Sequence, residues 1–314
     1  MTTPTPPPPA PQDPLADLFR PAEPARWKTG EIQGLSRAAF IGMLRGEVPA
    51  VQVPGFVTRE SASRFERHIQ NQLAPYAHIA GPPVQKLGLA QFEFQAQSAA
   101  DFESRTGEVA KDEYFKAAET YKTLHSSVHA ATGDDAWSRV VQVLRELLPE
   151  YPVIAARESA PDGRAYHAGI YRSINEGTPV HCDWSPFDSA TENWVINRVT
   201  RQAVFNLYLA PMESGATTLY DRQWDESVHA QYRDPATYGY FDEVVAGRDQ
   251  LVLRPGVGDL VFFNTRNLHR VDSVAWEDHA TLGRWQRPRL TLSSFIGLLP
   301  AGVVDEKPCV VLWS

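Results

Sequence analysis

Thr178-Pro-Val-His-Cys-Asp-Trp184 places an imidazole and a carboxylate two residues apart inside an apolar, strand-like run. Residues i and i+2 of a strand share a face, so His181 and Asp183 are able to hold one metal ion while Cys182 points the other way. A second histidine would complete three protein ligands on one side of the ion. That is the 2-His-1-carboxylate arrangement, which leaves positions open for substrate and dioxygen on Fe(II). His269, in Phe262-Phe-Asn-Thr-Arg-Asn-Leu-His-Arg-Val271, is the candidate.

Outward from this stretch, the chain after Pro149 alternates short apolar runs with Gly, Pro, Asn and Asp. The runs are 153–157, 166–173, 179–184, 203–209, 217–220, 250–253, 260–263, 290–296 and 310–313. Many short strands at near-regular spacing, most with no helix between them, predict a double-sheet barrel rather than a parallel α/β sheet. The fold expected is therefore mainly β with accessory helices: a double-stranded β-helix, or jelly-roll, cupin-like core spanning 150–314.

The first half has a different texture. Residues 1–25 are Pro-rich and poor in large apolar side chains, which predicts a disordered tail. Residues 26–149 form a largely helical part expected to pack on the core. Helical spacing runs through 35–45, and Thr58 is placed to cap a helix carrying Phe65 and Ile69. A further helix is expected over 111–131, ended by Gly133, and another from Asp134 to Pro149. Ala50 to Val53 and the alternating Gln91-Phe-Glu-Phe-Gln95 read as strands.

Composition sets the bounds. With 314 residues and 43% hydrophobic content the chain can bury a large core, and no stretch is long and apolar enough to span a bilayer. The start lacks a basic segment followed by an apolar run, so a cytoplasmic protein without a signal peptide is expected. Two cysteines, Cys182 and Cys309, make no disulfide framework. A formal charge of -8 argues against a general nucleic-acid binder, which needs a basic face to displace counterions.

An HxD triplet alone carries little weight; the order of features around it carries more. His181 and Asp183, then His269 followed at +2 by Val271, then Arg289 in Arg287-Pro-Arg-Leu-Thr-Leu-Ser-Ser-Phe-Ile-Gly297, resemble the iron(II)/2-oxoglutarate-dependent dioxygenases. The likeness lies with the prolyl-hydroxylase-like and small-molecule hydroxylase branch and covers roughly residues 150–300. The turns Ser214-Gly-Ala-Thr-Thr-Leu-Tyr220 and Pro255-Gly-Val-Gly-Asp-Leu260 also look like the family's, although Ala216 stands where a second glycine is common. The resemblance implies that Arg289 anchors the distal carboxylate of 2-oxoglutarate, with Tyr208, Thr291 and Tyr171 beside the cosubstrate. The long segment from His269 to Arg289 leaves Arg287 as a rival anchor.

The resemblance further implies the cofactors Fe(II), 2-oxoglutarate and O2, and a reaction that yields succinate and CO2 while hydroxylating an unactivated C–H. The radical halogenases of the family replace the carboxylate ligand with a small residue; this chain keeps Asp183, so hydroxylation is expected. Trp184, Phe187, Trp194, Arg198 and Arg222 are candidates to line a pocket over the metal, with Trp224 beside them. The acidic chain, with no protein-docking repeat, points to a small-molecule substrate such as an amino acid or natural-product intermediate. A peptide hydroxylase of the same family and a non-oxidative cupin-like metal binder are the alternatives.

Overall fold

The structure is a computed structural model that describes residues 13–76, 84–96, 103, 109–189, 192–211, 214–274 and 289–314. Its strands are β1 (Gln33–Gly34), β2 (Ala50–Val53), β3 (Ala74–Pro75), β4 (Val84–Leu87), β5 (Val153–Ala155), β6 (Ile170–Ile174) and β7 (Arg201–Tyr208). They continue with β8 (Thr217–Gln223), β9 (Gln250–Leu253), β10 (Leu260–Asn264), β11 (Asn267–Val271), β12 (Leu290–Leu299) and β13 (Cys309–Trp313). One large sheet runs in the order β1-β2-β10-β7-β12-β6-β4-β3, with β13 attached to β12 and β5 to β13. A small sheet runs β11-β8-β9.

Strand β7, at the middle of the large sheet, shows why both sheets are needed. Its residues are apolar on both sides, and successive side chains alternate between faces. Ala203, Phe205 and Leu207 join a cluster with Phe40, Phe65, Val140 and Leu144 of the helices. Val204 and Tyr208 pack instead with Leu219 of β8 and Leu253 of β9. One face of the large sheet is thus covered by helices and the other by the small sheet, and each fully buried Phe or Leu contributes roughly 1.5–3 kcal/mol.

The helices Arg37–Leu44, Arg59–Ile69 and Ala136–Leu147 are capped by Ser36, Thr58 and Asp135, whose side chains accept from the backbone N–H three residues on. Strands β2 and β4, both from the first half of the chain, extend the large sheet beyond β10 and β6. No helix among the described residues is long and apolar enough to cross a membrane.

The structure corrects four expectations. The tail expected over 1–25 is seated from residue 13 onward: Leu15, Leu18 and Phe19 are buried in the helical core, and Ala25 N–H donates to Gln223 at 3.0 Å. Residues 1–12 lie outside the described residues. The single helix expected over 111–131 is two, Val109–Thr120 and Leu124–Thr132; Gly133, at φ 73°, ends the second as expected. Gln91–Phe94 is a 3-10 turn, not a strand, held where Gln91 N–H donates to the Ser314 carbonyl at 2.6 Å. Finally, His269 lies on a strand of its own, β11, which the polar run from Asn264 to Asn267 hid.

The docked tail is testable. Leu18 is fully buried, so Leu18→Ala should lower the unfolding free energy in urea by about 2–5 kcal/mol. An unchanged transition would mean that this turn does not pack in solution.

Candidate metal centre and its cavity

The segment containing His181 runs along the open edge of β11. His181 N–H donates to the His269 carbonyl at 2.9 Å and His269 N–H returns the bond at 2.8 Å, while Thr178 N–H reaches Val271 O and Asp183 N–H reaches Thr265 O. This register brings the rings of His181 and His269 to 4.2 Å between centroids. The ligand atoms of His181, Asp183 and His269 all lie within 4.8 Å of one another, with His269 Nε2 3.5 Å from Asp183 Oδ2.

Each imidazole is held by the nitrogen that faces away from this point. His181 Nδ1 is 2.9 Å from Pro179 O and His269 Nδ1 is 2.8 Å from Asn267 O. A carbonyl only accepts, so both Nδ1 atoms carry hydrogen and both Nε2 atoms present lone pairs. Burial, reinforced by the neighbouring His269, pushes His181 down to about 4, so the ring is neutral at pH 7. Burial alone would raise Asp183, but its contacts with His269 and His181 and the charge of Arg172 outweigh it and hold the carboxyl at about 2. Two imidazoles and one carboxylate converging on one point are a donor set for a divalent cation of borderline softness.

The surroundings fix these groups. Gln202 donates to Asp183 O at 3.0 Å and accepts from Ser185 N–H at 3.0 Å, which clamps the chain on both sides of Trp184. The Tyr238 ring stands edge-on to His181 at 5.4 Å, and Phe263 does the same to His269 at 5.4 Å. Cys182 stays outside the trio; its thiol meets the Tyr240 hydroxyl, and burial pushes it far up. Asp188 accepts Trp184 N–H at 2.6 Å, and burial followed by the charge of Asp183 raises it to about 8.

The trio opens on a cavity of about 540 Å³ between the two sheets. Arg289 enters it from the start of β12, buried, with Nη1 3.4 Å from Gly215 O and no carboxylate partner among the described residues. Burial lowers its proton affinity, and the charge of the neighbouring Arg172 adds to the effect. Thr291 lies opposite Tyr208 across the β12–β7 pair, and the Tyr208 hydroxyl bonds to Thr217. A short chain joins Thr291, Ser293 and Asn206 at 2.9 and 2.6 Å. Gly215 has φ 81°, a left-handed conformation that favours glycine.

The trio, Arg289, Tyr208 and Thr291 therefore share one cavity, together with Phe187. Other expectations are overturned. Tyr171 points through the sheet to the helices, where it stacks on Phe65 at 6.3 Å; Arg172 faces the cavity in its place. Trp184 lies under Arg266 at 5.2 Å, and Trp194 is buried among Tyr114, Phe115 and Tyr166. Arg198 is exposed on Asn193 at 3.0 Å, Arg222 turns to Asp225 at 3.7 Å, and Trp224 packs against Phe187 without lining the cavity. Arg287 lies outside the described residues. Sequence reading missed Arg172, Asn206, Thr217, Gln202 and Tyr238. Asn206 was accessible to it, since it sits two residues before Tyr208 on the same strand face.

No family model matches the chain. It is 32% identical over 241 residues, 76% of its length, to the leucinostatins biosynthesis cluster protein S of Purpureocillium lilacinum, of which the match covers 89%. It is 27% identical over 154 residues to the L-gamma-glutamyl-L-propargylglycine hydroxylase of Streptantibioticus cattleyicolor, a match spanning 48% of this chain and 50% of that one. Among solved structures it is similar to an N-substituted L-amino acid dioxygenase from Burkholderia ambifaria, with a TM-score of 0.52, 15% identity, and coverage of 88% and 91% of the two chains. The same enzyme is also known in complex with alpha-ketoglutarate, at the same TM-score. At that identity the likeness to the solved structures is one of fold.

In metal-free protein, the His181 ring should titrate by NMR near pH 4 instead of near 6.5. The unfolded chain then binds this proton first, so the contribution of His181 to stability is complete above pH 6.5 and is lost as pH falls towards 4. Urea unfolding of wild type and His181→Asn across that window checks the sign: acidification should destabilise the wild type more. A larger loss in the variant would contradict it.

Proposed function

The chain belongs to the iron(II)/2-oxoglutarate-dependent dioxygenases, and from that membership we propose that it hydroxylates an unactivated C–H of a small molecule at His181, Asp183 and His269. In this reading β6, β12, β7 and β10 form one wall of a jelly roll, and β11, β8 and β9, extended by the His181 segment, form the other. The observation that carries the reading is the pairing, in one cavity, of a two-imidazole, one-carboxylate trio with a buried arginine that has no carboxylate partner among the described residues. Burying a lone charge costs several kcal/mol unless a ligand supplies its partner.

His181 Nε2, Asp183 and His269 Nε2 would hold the iron. Their fit rests on Nδ1 hydrogen bonds that leave the Nε2 lone pairs free and on a carboxyl held ionised. Bound iron supplies the oxidation, in which substrate R–H, 2-oxoglutarate and O2 give R–OH, succinate and CO2. Arg289 holds the distal carboxylate of 2-oxoglutarate, with hydroxyls from Tyr208 and Thr291 completing the cradle. Phe187, Phe263 and Phe295 line the cavity and exclude water from the reacting carbon. The substrates for which the relatives are named, a γ-glutamyl dipeptide and N-substituted L-amino acids, support a small amino-acid derivative as the substrate class.

Anaerobic addition of Fe(II) and 2-oxoglutarate should give the weak visible charge-transfer band of a chelated 2-oxo acid, and His269→Ala should abolish it, since three ligands leave no spare. Full iron occupancy and turnover in that variant would refute the trio.

Arg289→Ala should weaken 2-oxoglutarate binding by roughly 2–5 kcal/mol, because it strands a bound carboxylate. Iron affinity should change far less. Equal losses of iron and cosubstrate would place Arg289 in a structural role.

A further inference from the structure

Three arginines line the cavity: Arg172, Arg233 and Arg289. Arg233 is spent on the fold, since its Nη1 donates to the carbonyls of Asp234, Thr237 and Gly239 at 2.8, 2.6 and 2.7 Å. Arg289 is taken by the cosubstrate under the reading above. Arg172 remains. Its Nε is buried without a hydrogen-bond partner, and its guanidinium makes no ion pair among the described residues. The nearby cation Lys86 is already paired with Glu93.

Arg172 and Arg289 rise from neighbouring strands, near enough for the charge of Arg172 to act on Arg289, but they differ in what surrounds them. Arg172 stands on β6, opposite Thr291 of β12 on one side and Lys86 of β4 on the other. Its side chain runs along the sheet to lie over the Phe295 ring, 5.8 Å from the centroid. That end of the cavity is walled by Tyr76, Val84, Gln91 and Phe92, which precede the core in sequence. Tyr208, which accompanies Arg289, belongs to β7, on the other side of β12 from β6, and Thr217 belongs to β8 of the small sheet.

We propose that Arg172 is a substrate-binding residue that pairs with a carboxylate of the small molecule to be oxidised, so that the substrate class is a carboxylic acid held by its anionic end beside the metal trio. The proposal rests on the dioxygenase reading. A guanidinium over an aromatic face, with its edge unpartnered, is pre-organised for a bidentate carboxylate. Neutral analogues of the same shape leave the cation buried and unpaired, which is the strongest form of discrimination a site of this kind can exert.

The experiment uses the full chain loaded with Fe(II), as wild type, Arg172→Met and Arg172→Lys. Anaerobic 2-oxoglutarate titration should give the chelate band in all three with similar midpoints. Succinate formation is then measured with L-amino acids and N-acetyl-L-amino acids, each as the free acid and as the primary amide. Free acids should stimulate turnover, with KM for the amides higher on the order of tenfold or more. Arg172→Met should raise KM for the acid by a similar factor while kcat changes much less, and Arg172→Lys should recover part of the loss. Amides as effective as acids, no stimulation by any acid, or unchanged acid KM in Arg172→Met would overturn the proposal. So would loss of 2-oxoglutarate binding in Arg172→Met, which would assign the arginine to the cosubstrate. Absence of the chelate band in the wild type would instead refute the dioxygenase reading itself.

Discussion

The pair of backbone hydrogen bonds exchanged by His181 and His269, at 2.9 and 2.8 Å, is the constraint on which the site depends. It fixes the register of the Thr178–Asp183 segment on β11. Because side chains alternate along a strand, that register decides which residues face the cavity. With the bridge in place, His181, Asp183 and His269 emerge on one face within bonding reach of a common point. A slip of one residue would present Cys182 there instead. Carbonyls of Pro179 and Asn267 then turn each ring so that Nε2 looks inward, and the Gln202 amide holds the chain just beyond Asp183. Backbone geometry thus sets both the position of the trio and the tautomer of its imidazoles.

A second constraint is electrostatic. The cavity contains two cations with no carboxylate partner among the described residues, the buried Arg289 and the half-buried Arg172, alongside Arg233, whose Nη1 donates to three backbone carbonyls. The contrast is informative because an unpaired charge out of water is expensive to keep. Arg289 stands at the start of β12 and Arg172 on the neighbouring β6, opposite Thr291. Tyr76, Val84, Gln91 and Phe92, from the part of the chain that precedes the core, line the same cavity.

Much of this was legible in sequence. Alternating apolar runs located most of the strands of both sheets, and caps such as Thr58 and Gly133 marked helix ends, because both follow from local backbone preference. His181 and Asp183 could be placed on one face by parity alone. The order HxD, distal His, arginine carried the resemblance to the family. Misreadings have local causes as well: Gln91–Phe94 alternates like a strand but is held as a 3-10 turn by its bond to Ser314, a partner far away in sequence.

What tertiary structure alone decided is which face of each doubly buried strand meets the cavity. Ile170-Tyr-Arg-Ser-Ile174 is apolar at both parities, so nothing in it says whether Tyr171 or Arg172 turns inward. The answer comes from its neighbours: Phe65 on the helix side receives the Tyr171 ring, and pairing with β12 turns Arg172 towards Phe295. Trp194 and Arg198 were ambiguous for the related reason that a polar, aromatic loop packs wherever distant elements leave room. The sequence by itself determined the elements and the donor set, because those depend on spacing within a segment. Tertiary packing decided which charges stand unpaired in the cavity, because that depends on segments that meet only in the folded chain.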